Sequence, residues 1–179
     1  SDYVKLQRAT SGGGVGDLIF DDLDVATYKF FDFWITLVAS SDSVKPYFRF
    51  RTGGASGSDA TLSTYRYAWE YQSLNNDGTG DRGATPNQSA DYGWIHWYSQ
   101  GAVGTSYVGW AECKFRNPNK ASYTFQKQES VEYYNASSEW RRADVEYMFP
   151  ENTQFTGIRL ETSGGNNFTA NVRLYGYRL

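Results

Sequence analysis

One cysteine, one histidine and one methionine among 179 residues leave little of the usual chemistry of protein sites. With Cys113 alone there is no internal disulfide framework and no cysteine-based zinc site. His96 alone excludes a histidine-cluster metal centre and any mechanism that needs a second histidine. No apolar run is long enough to cross a bilayer, because the longest, residues 30–39, is interrupted by Asp32. The N-terminus carries no signal-peptide pattern and is expected to be that of a soluble protein with its initiator methionine removed. A basic excess is missing too: 17 Lys and Arg stand against 20 Asp and Glu, a formal charge of -3, which argues against a general nucleic-acid binder. Neither a collagen repeat nor a coiled-coil heptad is present.

What the chain has is aromatic side chains, 18% of all residues, and 18 glycines, a composition that favours strands and turns over helices. Residues 28–54 read as two long strands joined by the polar turn 40–43. In the first, Phe31, Phe33, Ile35 and Leu37 alternate with Tyr28, Phe30, Trp34 and Val38, so both faces are apolar and a central, covered strand is expected. In the second, Phe48 and Phe50 alternate with Tyr47, Arg49 and Arg51, giving one core face and one wet, cationic face. Residues 3–8 suggest a short edge strand and 18–20 another, while 11–16 and 53–60 are glycine-rich breaks.

Further on, Tyr65, Tyr67, Trp69 and Tyr71 share one face of a regular alternation. Residues 74–91 lack apolar anchors and read as a long exposed loop. Strands follow at 92–98, at 106–116 and around Tyr123 and Phe125. Residues 137–149 fit a strand through Trp140, Val145, Tyr147 and Phe149, although Ser137 also opens a capping-box spacing; the strand is favoured. A terminal hairpin is expected across 163–167, with Ile158 and Leu160 facing Ala170, Val172 and Leu174. About ten to twelve short strands without a helical period or a long repeat predict an all-β, antiparallel, jelly-roll-like β-sandwich. Residues 1–16 form an N-terminal strand or arm, and 17–179 one domain.

Few residues suggest chemistry. His96 lies between Ile95 and Trp97 and reads as structural. A Cys113–His96 pair lacks any surrounding signature, and an alternating strand tends to bury a small thiol. Asp21, Asp22 and Asp24 offer oxygen ligands for calcium without the spacing of an EF-hand loop, so a solvated loop is favoured. Carboxylate pairs for glycoside hydrolysis need a separation that sequence does not supply. The sequons at Asn87, Asn135 and Asn167 matter only in a eukaryotic secreted chain. The aromatic stripe Tyr65, Tyr67, Trp69 and Tyr71, with Trp94, Trp97 and Trp110, is either core or subunit interface, the favoured reading, or an outward platform for stacking sugars.

Three segments carry a resemblance: the strand opened by Tyr28; Arg49, Arg51, Thr52, Gly53 and Gly54; and the closing Arg173, Leu174, Tyr175 and Gly176. Together they resemble a family of small β-sandwich virion proteins of tailed bacteriophages, found as capsid or tail decoration proteins and as tail-fibre tips. The resemblance implies localisation to the virion, a homotrimer, contact with a major capsid or tail protein, no enzymatic activity and no cofactor. A free-standing decoration (cement) protein is the expectation; the alternative is a fibre tip or carbohydrate-binding module that recognises host glycans through exposed Trp and Tyr.

Overall fold

A computed structural model describes residues 3–10, 16–39, 46–60, 65–75, 78–90, 92–95, 109–116, 124–134, 139–149, 153–162 and 168–178. Thirteen strands run through them: β1 (Tyr3–Thr10), β2 (Asp17–Phe20), β3 (Phe30–Ala39), β4 (Pro46–Thr52), β5 (Ser58–Asp59), β6 (Tyr65–Asn75), β7 (Gly80–Ala90), β8 (Gly93–Trp94), β9 (Gly109–Arg116), β10 (Thr124–Tyr134), β11 (Glu139–Phe149), β12 (Gly157–Thr162) and β13 (Phe168–Tyr177). They form an antiparallel β-sandwich. The large sheet has the order β1-β13-β3-β9-β10-β11-β6-β7. The small one runs β2-β12-β4, with β5 and β8 both pairing along the free side of β4. The chain crosses repeatedly from one sheet to the other, which is the jelly-roll-like habit.

Alternation decides what lies between the layers. The large sheet turns Phe31, Phe33 and Ile35 inward from β3, Ala111, Cys113 and Phe115 from β9, and Val145, Tyr147 and Phe149 from β11. The small sheet answers with Phe20, Phe48, Phe50, Ile158 and Leu160. Ile158 and Leu160 on β12 and Ala170, Val172 and Leu174 on β13 are all buried in this core, from different sheets. Packing is tight: the void beside Phe50 and Phe155 is about 10 Å³, at the lower limit for one water. A polar ladder runs through this interior. Gln126 Nε2 donates to Gln128 Oε1 at 3.0 Å, and Gln128 Nε2 donates to the Ile95 carbonyl, tying the stretch after β8 to the centre of the large sheet.

Several expectations are corrected. Residues 28–54 are not a hairpin, because β3 pairs β13 and β9 whereas β4 pairs β12, β5 and β8; a polar turn serves a crossing between sheets as well as a hairpin. For the same reason β12 and β13 lie in different sheets. The stretch 74–91 is not a loop: β6 runs to Asn75, and β7 returns along it as an edge strand. An edge strand needs few apolar residues, and polar ones protect it. Pro86 and Asn87 fall at a bulge where the register shifts between Tyr67 and Trp69, one of the few places a sheet accepts proline. Residues 139–149 form a strand, the favoured reading, and β1 is the opposite edge of the large sheet.

Candidate interaction surface

The stripe singled out in the sequence lies on the inner face of β6. Tyr65 and Tyr67 are buried; Trp69 and Tyr71 are half-buried and stack at 5.0 Å. Burial pushes the Tyr67 phenol up from its ordinary range. Trp94 pairs through its backbone with Tyr47, while its side chain, Trp97 and His96 lie outside the described residues. Trp110 is the member that reaches the outer face of the large sheet, where it meets Trp34 edge to face at 6.0 Å and 66°.

That outer face carries Trp34, which the sequence reading assigned to a covered strand, together with tyrosines of β1 and β13. Trp34 and Tyr3 are 39% and 37% exposed. Tyr3 stacks on Tyr175 at 4.6 Å and lies against Tyr177 at 4.4 Å. The register sets charges among these rings: Trp34 is opposite Glu112, and Asp32 opposite Lys114. Lys114 Nζ pairs with Glu112 at 3.0 Å, and this contact raises the Lys114 pKa. Where β3, β9 and β13 end, Phe30, Asp32, Lys114, Arg116, Tyr177 and Arg178 line an open depression of about 380 Å³. Sequence reasoning missed this surface. Its signal was Asp32, a lone carboxylate inside the most aromatic strand.

Asp32 is only 3% exposed, although it faces outward. Tyr177 donates its hydroxyl to Asp32 Oδ2 at 3.0 Å. Burial dominates and raises the carboxyl pKa, against the lowering effects of that bond and of Lys114. A carboxyl with a raised folded pKa favours folding below its unfolded pKa and loses that contribution as pH rises through the folded value. Asp32→Asn removes the titration, so the variant should gain stability relative to the native chain as pH rises from about 3 to 7. Paired urea melts across that range check this. A difference that shrinks with pH would mean that the ionised carboxylate is net stabilising.

The outer face of the small sheet is occupied by ion pairs. Arg51 holds Asp21 through two bonds, at 2.7 and 3.1 Å. Arg159 holds Asp59 at 2.7 Å and Asp17 at 3.0 Å, and Arg49 holds Glu161 at 2.9 Å. The cationic face read from β4 is thus neutralised at home. The acidic segment 21–24 is spent on local structure, with Asp21 bound to Arg51 and Asp24 Oδ1 accepting from the Thr27 backbone N–H at 3.0 Å. Among the described residues no group of three His, Cys, Asp or Glu side chains is placed to hold a metal ion. Cys113 is buried, its thiol donates to Gln128 Oε1 at 3.3 Å, and burial drives its pKa far up. A thiolate nucleophile is therefore disfavoured there.

Comparison with known proteins adds no relative. No family model matches the chain, and no curated protein matches it. Among solved structures, a chain from "Structure of infectious bursal disease virus Gx strain" aligns at 8% identity over 98% of this chain and 39% of that one, with a TM-score of 0.13; a likeness of that size carries no argument. This chain therefore spans well under half the length of the one it aligns with.

Proposed function

We propose that the protein is a non-enzymatic structural subunit of a bacteriophage particle, a decoration protein of capsid or tail, that works by burying the outer face of its large sheet against protein. The observation that carries this reading is the set of aromatics there, exposed Trp34 and Tyr3 with half-buried Trp110, interleaved with charges of both signs. Aromatic anchors on a flat strand face amid polar groups are the anatomy of a protein interface. A sugar platform wants rings presented side by side in one plane, whereas Trp34 and Trp110 stand at 66°. The resemblance of the segments at Tyr28, Arg49–Gly54 and Arg173–Gly176 to phage virion proteins supplies the particle.

The test is mass spectrometry of gradient-purified phage particles from a culture expressing the chain. Stoichiometric copies should band with the particles, and Trp34→Ala with Trp110→Ala should weaken incorporation about 30-fold or more, as for hot-spot residues. Absence from particles overturns the proposal, and selective binding to a glycan array by the same purified chain would replace it with the sugar-recognition alternative.

A further inference from the structure

Strand register places the outward side chains of the large sheet in rows that cross the strands. Trp34, Glu112 and Glu129 sit abreast on β3, β9 and β10, and two residues along each strand the next row is Asp32, Lys114 and Lys127. Within a row, like charges are neighbours, Glu112 beside Glu129 and Lys114 beside Lys127, an arrangement that is unfavourable when the face stands alone. Inside the chain it is offset in part, by Lys114 on Glu112 at 3.0 Å and by Arg142 on Glu129 at 3.1 Å.

We infer that this face is a two-fold interface between two copies of the chain, in which the row Trp34–Glu112–Glu129 of one copy lies against the row Asp32–Lys114–Lys127 of the other. The inference rests on the reading of the outer face as a protein interface and names its partner. A two-fold axis running across the strands between the two rows leaves each strand over its own counterpart and exchanges the rows. Glu112 then meets the partner's Lys114, and Glu129 the partner's Lys127. The Trp34 ring comes over the position of the partner's Asp32, a carboxyl that stays buried in its own bond with Tyr177. One row further out, Trp110 meets the partner's Arg116, a cation–π pairing. Such self-complementarity is what an isologous contact requires; a three-fold ring joins two different patches.

Edge-to-edge pairing through the large sheet is disfavoured. β1 carries a register shift between Lys5 and Gln7, and β7 carries its own around Pro86; bulged, polar or proline-bearing edges resist strand addition. Six strands with four outward residues each would cover about 800 Å² per copy by ordinary strand spacings, the size of a standard specific interface, and on β11 the same axis sets Asp144 against the partner's Glu146, one like-charged pair beside the opposite-charged ones.

Light scattering on the full chain over a range of concentrations tests this. The native chain should reach twice 20.3 kDa. Glu112→Lys with Glu129→Lys makes both rows cationic, and Lys114→Glu with Lys127→Glu makes both anionic. Each double variant should self-associate at least about 100-fold more weakly, since like charges across an interface cost several kcal/mol. Mixing the two should restore a two-chain species, since each acidic row then faces a basic one. Circular dichroism showing native strand content in both variants removes misfolding as an explanation. A native chain that stays at one chain's mass, or settles at three, overturns the inference, as does a mixture of folded variants that fails to pair. A monomer that still bands with particles overturns the two-fold contact alone, whereas a dimer that never does overturns the structural-subunit reading alone.

Discussion

Truncating Phe50 to alanine should destabilise the protein by about 3–5 kcal/mol, the range for removing a fully packed ring. Phe50 stands on β4 where the small sheet presses on the large one. Its ring stacks on Phe155 at 4.5 Å and on Tyr65 at 5.8 Å, and meets Phe48, Phe115 and Phe149 edge to face at 5.5, 5.3 and 6.2 Å. The backbone is engaged too: Phe50 N–H donates to the Tyr65 hydroxyl at 2.7 Å, so β4 is tied to β6 across the core. Neighbours drawn from both sheets cannot all collapse into the space, and the existing void beside the ring is small. For a chain of this length the loss should lower Tm by roughly 10–15 °C. Trp34→Ala, on the outer face, should cost no more than about 1 kcal/mol in the monomer, as surface changes do. Thermal and urea melts of the two variants side by side check the contrast. Equal losses would mean that the outer face is core after all.

That contrast marks what the sequence could and could not convey. Alternation in β3, β4, β6 and β11 gives the strands and their inward residues directly, since period two needs only the chain itself. Pairing is another matter. Residues 40–45 are compatible with a hairpin or with a crossing, and only the partners of β3 and β4, drawn from 109–116 and 157–177, decide between them. The 80–90 segment was illegible because an edge strand is stabilised by one neighbour and by its bulge, not by a buried face. Strand β3 misled in a more useful way. Two apolar faces in the middle of a sheet imply two covers, yet the small sheet covers one. The surplus on Trp34 and Phe30 is therefore a property of the surface, and the candidate site was hidden inside what read as core. The tyrosine stripe of β6 lies on the inner face, one of the two placements its alternation favoured.

Arg51 should be the most damaging charged residue to remove. Its guanidinium reaches Asp21 by Nε at 2.7 Å and Nη2 at 3.1 Å, Asp59 by Nη1, and the Gly57 carbonyl by Nη2. One side chain thus joins the segment after β2, strand β5 and the turn 53–57. That turn needs help: Gly53 and Gly54 sit at φ +92° and +65°, a backbone region that suits glycine, and Gly54 N–H is held by Thr156 Oγ1 at 2.9 Å. The resemblance segment Arg51-Thr52-Gly53-Gly54 is therefore one fastening unit, with the arginine closing the turn that the glycines permit. Arg51→Met keeps the stem but strands the carboxylates, and breaking such a pair from one side costs about 3–5 kcal/mol. The two acids should not respond alike. Asp59 keeps Arg159 at 2.7 Å and Arg49 at 4.0 Å, whereas the bonds of the Asp21 carboxylate run to Arg51. Adding Asp21→Asn to Arg51→Met should recover more stability than adding Asp59→Asn, and the Arg51–Asp21 cycle should show coupling above about 1 kcal/mol. Urea melts of the single and double variants supply both numbers. Additive losses would place the strength of this corner in the backbone of the turn and leave the arginine as a passenger.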